Sequence, residues 1–444
     1  MKKILILNAR IINEGATQAG DVLIENGRIA AIGPRLSGRR ADIIIDAGGR
    51  ALMPGMIDTH VHFRQPGLTH KGDIASESSA AVAGGITSCL EMPNTLPPTT
   101  TLDRLAAKCR MASRLSRVNY GFYLGATTDN LDEIKAADPR RVCGIKVFLG
   151  ASTGNLLVED PETVARIFSA APTLVAVHCE DPAIIRKNEA RFRARFGEDI
   201  PIWHHPDIRS ADACFYSTSR AVETARKHGT RLHVLHLSTR EEISLFSSGP
   251  VSGKTITAEA CVHHLFFDAD DYREKGARIK CNPAIKSSRH RKALIRAVSD
   301  NRIDVIATDH APHTLFEKEN TYFHAPSGLP LVQHALVSLL ELYHRGIFPL
   351  ELIVAKTAHA PATIFQIEKR GFIREGYWAD LVLVDLHRPW TVSPGNIHFR
   401  CGWSPFDGYR FRASVVATIV SGHLAWHAGQ MGAMKAGRPL RFCP

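Results

Sequence analysis

The stretch Ala51-Leu-Met-Pro-Gly-Met-Ile-Asp-Thr59 runs without a break into His60-Val-His62-Phe-Arg64. It reads as a buried apolar strand that ends in two histidines spaced two apart. Side chains i and i+2 of a strand point to the same face, so both imidazoles converge on one point. Imidazole is the commonest metal-binding side chain, and a pair so spaced is a two-point chelate. Arg64 continues the alternation and sets a fixed cation beside that point, suited to gripping a carboxylate with two parallel hydrogen bonds. Two half-exposed histidines and a surface arginine would give the same letters, so the pair needs support from elsewhere in the chain.

Working outward, eight short apolar runs can be marked: Met56–His62, Ile86–Pro93, Tyr120–Ala126, Gly144–Gly150, Leu174–Glu180, Leu232–Ser238, Thr255–His264 and Ile303–His310. Helical patterns and loops lie between them. Alternating strand and helix signals predict a parallel sheet, and eight of them predict an α/β fold of the closed (β/α)8 TIM-barrel type. In such barrels the reacting residues gather where the strands end. Most of the runs end in groups capable of chemistry: His60 and His62, Asn94, Lys146, His178, His236 and Asp309. Structural histidines would fall at random depths, so this recurrence supports the metal reading.

The two ends of the chain differ from the middle. Residues 1–53 alternate strand and turn, with Asn26-Gly27 as a hairpin signal. The runs Asp380-Leu-Val-Leu-Val-Asp385 and Ser414-Val-Val-Ala-Thr-Ile-Val420 repeat that texture near the other end. The expected domains are therefore a barrel over residues 54–365 and a small composite β-sandwich formed by residues 1–53 and 366–444.

Composition narrows the function classes. With 444 residues, 44% hydrophobic and 22% charged, the chain can bury a large core and falls in the globular class. No stretch of about 18 uncharged apolar residues occurs, so no membrane partner is expected. The start, Met1-Lys-Lys-Ile-Leu-Ile-Leu-Asn-Ala9, lacks the long apolar core of a secretion signal, and a cytoplasmic enzyme is expected. Nine cysteines, an odd number with no Cys-x-x-Cys among them, fit reduced thiols better than a disulfide framework. The net charge of +11 is dispersed; its densest patch, Arg191-Phe-Arg-Ala-Arg-Phe196, reads as one solvated face of an amphipathic helix, and no nucleic-acid partner is expected. A basic protein suits a small anionic substrate. A homodimer is the expected assembly.

Each further candidate has a bland counterpart. His178 and His236, taken singly, would be hydrogen-bonded core histidines, as His233 is expected to be, and His263 and His264 are expected to be structural near the rim. Asp309, after the apolar run Val305-Ile-Ala-Thr308, is costly to bury unless it meets a metal or a cation. Lys146 lies among Ile145, Val147 and Phe148, where an ammonium loses hydration and tends to lose its proton. A neutral amine can add carbon dioxide to give a carbamate, an anionic oxygen ligand able to bridge two cations. The bland counterpart is a strand-end lysine paired to a nearby acid.

The segments His60-Val-His-Phe-Arg-Gln-Pro-Gly67, Met92-Pro-Asn-Thr95, Cys281-Asn-Pro-Ala-Ile-Lys286 and Thr308-Asp-His-Ala-Pro-His313 together resemble the amidohydrolase superfamily and, within it, the dihydroorotases. The resemblance runs from about residue 50 to 365, and the flanks resemble the family's composite sandwich. It implies two zinc ions per subunit, His60 and His62 binding one and His178 and His236 the other, bridged by carbamylated Lys146 and hydroxide, with Asp309 completing the first site. It also implies that Asp309 is the catalytic proton carrier and that Arg64, Asn94, Asn282 and His313 bind dihydroorotate or carbamoyl aspartate. Some members of this type replace the lysine by an aspartate in the following loop, here Ala151 to Asp160; Lys146 is preferred, and a site with one metal stays open. Hydantoinases and allantoinases share the metal ligands, but a ring without a carboxylate has no use for Arg64. An inactive, dihydroorotase-like assembly subunit would be expected to have lost ligands, and all six candidates are present.

Overall fold

Strand β1 (Ile4–Asn13) pairs antiparallel with β2 (Ala16–Glu25), which turns tightly into β3 (Arg28–Gly33). The turn is Asn26-Gly27, with φ of 50° and 82°, the positive values that a two-residue hairpin of this kind requires. On its other side β1 runs parallel to β4 (Ile43–Asp46) and β5 (Ala51–Pro54). The computed structural model describes residues 2–150 and 156–444.

From β5 the chain crosses directly into the barrel. Its strands are β6 (Met56–Val61), β7 (Ile86–Glu91), β8 (Asn119–Gly125), β9 (Gly144–Phe148), β10 (Val175–His178), β11 (Leu232–Val234), β12 (Ile256–Cys261) and β13 (Val305–Ala307). They pair in sequence order, all parallel. The ring is closed beyond the strand ends, where Val61 bridges His310 and the His62 amide donates to the His310 carbonyl at 2.7 Å. Burial on both faces explains why these strands read as continuous apolar runs. Between them run helices such as Ile74–Ala83, Leu102–Leu115, Pro161–Ala170, Pro182–Phe196 and Ala211–His228, each opened by a side-chain cap from Asp73, Thr101, Asp160, Asp181 or Ser210. Ile57, Leu90, Tyr123, Ala176 and Val305 pack with Phe365 and Phe442 into one buried cluster that floors the barrel.

The chain returns to the first sheet through β14 (Leu381–Asp385), which pairs antiparallel with β5 in the register Leu52↔Leu383. A ribbon of β15 (Trp390–Thr391) and β16 (Arg410–Phe411) leaves the sheet and packs on the barrel. Strands β17 (Ser414–Val420), β18 (His423–His427) and β19 (Gln430–Met431) then complete the order β19-β18-β17-β14-β5-β1-β2-β3, with β4 beside β1. Ile4, Ile11 and Ile24 share one core with Leu381 and Ile419, so both ends of the chain build the second layer jointly. The fold is the expected barrel with a composite β-sandwich.

Among the described residues no helix is long and apolar enough to cross a membrane. The basic-aromatic patch lies on the helix Pro182–Phe196, where Phe192 is buried beside Ile185 and Tyr322 while Arg193 stacks on Phe323 at 4.1 Å.

Candidate active site

His60 is the next-to-last residue of β6 and His62 lies just beyond its end; His178 ends β10, and His236 and Asp309 follow β11 and β13 by two residues. Lys146 is in the middle of β9, two residues short of the strand-end position its sequence suggests, and its long side chain still lines the cavity. All ten candidate residues, His60, His62, Arg64, Asn94, Lys146, His178, His236, Asn282, Asp309 and His313, line one cavity of about 410 Å³ at the carboxyl ends of the strands. Arg64, His236 and Asp309 have positive φ, of 67°, 38° and 50°. For residues other than glycine this is a strained conformation, and such strain concentrates where side chains must be aimed.

The hydrogen bonds around the first pair turn both rings toward one carboxylate oxygen, a donor set suited to a cation. His60 Nδ1 donates to Glu259 Oε1 at 2.9 Å, and His62 Nδ1 donates to Asn94 Oδ1 at 2.6 Å. Burial pushes the His62 imidazole down to about 4, so it is neutral near pH 7 and its Nε2 carries a lone pair. Both Nε2 atoms face Asp309 Oδ1, at 3.1 Å from His60 and 3.0 Å from His62. With the Nδ1 atoms turned to Glu259 and Asn94, both Nε2 atoms and one Asp309 oxygen converge on one point. His60, His62 and Asp309 offer three ligand atoms within 4.8 Å of one another, and a divalent metal completes such a set.

Across the cavity His178 Nδ1 and His236 Nε2 lie 2.9 Å apart, and His178 Nε2 is held by Glu180 Oε2 at 3.0 Å. Arg209 in turn pairs with Glu180. Burial lowers Lys146 from 10.5 to about 7, and its Nζ lies 4.5 Å from the Phe148 ring centre. Asp309 and Glu259 oppose this shift from a distance, and among the described residues Lys146 makes no direct ion pair. Residues 151–155 of the loop that follows lie outside the described residues. Asp160, at the end of that loop, caps the next helix through Thr163 N at 2.8 Å.

The opposite wall is cationic. Arg64 is buried; its Nε donates to Pro312 O at 3.1 Å, and its Nη2 lies 3.0 Å from His313 Nε2. Burial lowers its guanidinium to about 10, which leaves it charged at neutral pH. Among the described residues no carboxylate pairs with it. Asn282 Oδ1 accepts from Ser327 Oγ at 3.0 Å, so Asn282 and the backbone of Ala325–Gly328 form one edge of the cavity.

Several supporting residues escaped the sequence reading. Glu259 was readable as an acid isolated in the apolar strand Ile256-Thr-Ala-Glu-Ala-Cys261, and Glu180 as the residue two beyond His178. Glu77, which accepts from His310 Nε2 at 2.8 Å, lies on a helix distant in sequence and carried no signal. The buried Glu91–Lys108 pair is of the same kind. Lys280 and Lys318 donate to the carbonyls of Tyr322, Ala325, Pro326 and Gly328 and so hold the Ala325–Gly328 edge. His233 is a core residue against Thr257, and His264 Nε2 donates to Pro283 O.

The profile of the Amidohydrolase family matches residues 51–425. Among curated proteins, a dihydroorotase of Halobacterium salinarum is 35% identical over 438 residues, covering 97% of this chain and 100% of its own. An allantoinase of Bacillus velezensis is 29% identical, covering 96% of this chain and 94% of its own. Among solved structures, an L-hydantoinase (dihydropyrimidinase) from Arthrobacter aurescens superposes with a TM-score of 0.94 at 27% identity, covering 99% of this chain and all of that one.

Proposed function

We propose, from the premise that this chain belongs to the amidohydrolase family, that it acts as a dihydroorotase, opening the ring amide of dihydroorotate to N-carbamoyl-aspartate and closing it again in de novo pyrimidine synthesis. The carrying observation is Arg64, a buried guanidinium without a carboxylate partner among the described residues, facing the same cavity as the histidines and Asp309. A substrate that bears both a cyclic amide and a carboxylate satisfies both walls at once. The full-length likeness to a dihydroorotase supports the same choice.

Two zinc ions suit the donor set of His60, His62, carbamylated Lys146, His178, His236 and Asp309; bound there they would supply a nucleophile at neutral pH and polarise the ring carbonyl. Asp309, ionised and held against His60 and His62, takes the proton of the attacking water on its carboxylate and passes it to the departing ring nitrogen. In the cyclising direction it takes the proton of the carbamoyl nitrogen instead. Arg64 and Asn282 hold the carboxylate away from the reacting carbon, and His313 lines the same wall beside Arg64. Asn94 orients His62 with its oxygen while lining the substrate's side of the cavity.

The test is an assay of dihydroorotate ring opening beside hydantoin and allantoin, with and without a chelator. Chelator-sensitive opening of dihydroorotate at the highest kcat/KM is expected. Preference for either neutral ring would replace this reading with a hydantoinase or allantoinase, and metal-free purification without activity would point to an assembly subunit. The reading includes a cytoplasmic homodimer without nucleic-acid or membrane partners, and sedimentation of the purified protein checks the dimer.

A further inference from the structure

His313 is held on both ring nitrogens. Lys71 Nζ lies 3.0 Å from Nδ1, while Arg64 Nη2 at 3.0 Å and the Ser327 carbonyl at 3.1 Å both face Nε2. Lys71 is anchored from behind by Glu317 Oε1 at 2.8 Å, and Glu317 is itself fixed by Thr314, whose amide donates to it at 2.9 Å. Lysine and arginine can only donate, and a carbonyl can only accept. A neutral imidazole has one N–H and one lone pair, so these neighbours cannot all be satisfied at once. With Lys71 donating to Nδ1, the ring proton must sit on Nε2, where it serves the Ser327 carbonyl. The Arg64 Nη2 proton beside it then meets no lone pair, so the guanidinium is not tied to the ring and can turn to a ligand oxygen.

We propose that Lys71 is a positioning residue for substrate carboxylate binding: by holding His313 as the Nε2–H tautomer, it stops that imidazole from capturing the Arg64 guanidinium. Without Lys71 the ring proton moves to Nδ1. The Nε2 lone pair then accepts from Arg64, and the cavity loses a donor to an internal hydrogen bond. The effect on substrate rests on the dihydroorotase reading; the tautomer does not. Lys71 does not line the cavity, so its influence reaches the substrate only through His313 and Arg64.

The experiment uses the metal-loaded full chain labelled with [15N]histidine, with His313 assigned by comparison with His313→Gln. Wild type and Lys71→Arg are expected to show the Nε2–H tautomer, and Lys71→Met the Nδ1–H tautomer. For dihydroorotate, Lys71→Met should raise KM about tenfold with kcat changed far less, as expected for losing one hydrogen bond to a charged group. Lys71→Arg should restore KM to within about twofold of wild type, since it keeps a cationic donor at that place. An Nδ1–H tautomer in the wild type overturns the proposal without any variant, and so does a Lys71→Met protein with unchanged tautomer and KM. A wild type that shows the Nε2–H tautomer but leaves dihydroorotate intact defeats the substrate reading and leaves the tautomer assignment standing.

Discussion

His60 Nδ1 lies 2.9 Å from Glu259 Oε1, although the two residues are 199 positions apart and sit on β6 and β12 of the barrel. Glu259 also accepts from Thr59 Oγ1 at 2.6 Å, so one buried carboxylate fixes the end of the strand that carries both opening histidines. Burial would raise its carboxyl, and the His60 and His233 imidazoles reverse this and hold it well below the ordinary carboxylate range.

Glu259→Gln keeps the shape and an acceptor oxygen but removes the charge that makes His60 a better ligand. Metal affinity is expected to fall about 10–100-fold with the fold retained. Competition with a chelator, followed by metal analysis, measures this. Wild-type affinity in the variant would show that the pair is a packing contact only.

Asp309→Asn removes the proposed proton carrier and weakens one of the three converging groups proposed to hold metal. Turnover should fall by at least about a thousandfold while part of the metal stays bound. Steady-state assay and metal content on the same sample separate the two effects. Near-normal turnover would refute the role given to Asp309.

Lys146 ties stability to pH in the metal-free protein. The unfolded chain keeps this lysine protonated up to its ordinary value of 10.5, whereas the folded protein gives the proton up above about 7. Between those values the unfolded state binds more protons, so raising the pH stabilises the fold. Below about 7 both states are protonated, and the fold bears the full cost of a buried cation. Lys146→Met removes that cost, so its Tm advantage over wild type should be largest near pH 7, several degrees, and shrink toward pH 10. Thermal melts of both metal-free proteins across this range decide it, and a flat difference would contradict the assignment. The same variant should lose activity that added bicarbonate cannot restore.

Gly328 has φ of 140°, and a Cβ there would lie 2.4 Å from the Ala311 carbonyl oxygen and 2.8 Å from Ala311 Cβ. The first obstacle is backbone, which cannot swing aside. Gly328→Ala should therefore displace the edge that carries Ser327, raising KM for substrate about tenfold or more and lowering Tm. Unchanged KM would mean that this edge takes no part in binding.

The paired imidazoles of His60 and His62, the lone acid Asp309 and the eight apolar runs were legible because strand periodicity and the cost of burying charge are local properties, visible in a few consecutive residues. The sandwich was legible for the same reason at its Asn26-Gly27 turn and in the β-branched runs near both ends. Lys146 was legible as a desolvated amine, though its depth within β9 was not, because register depends on neighbouring strands.

By itself, then, the chain's letters determined the fold class and picked out side chains that the fold gathers in one cavity. Only the tertiary structure decided how those side chains are aimed: that Glu259 holds His60, that Asn94 turns His62, that Glu180 turns His178, and that Lys71 and Arg64 face opposite nitrogens of His313. Each of these contacts except His178–Glu180 joins segments distant in sequence, and hydrogen-bond direction is a matter of a few tenths of an ångström that closure of the barrel sets and local sequence does not encode.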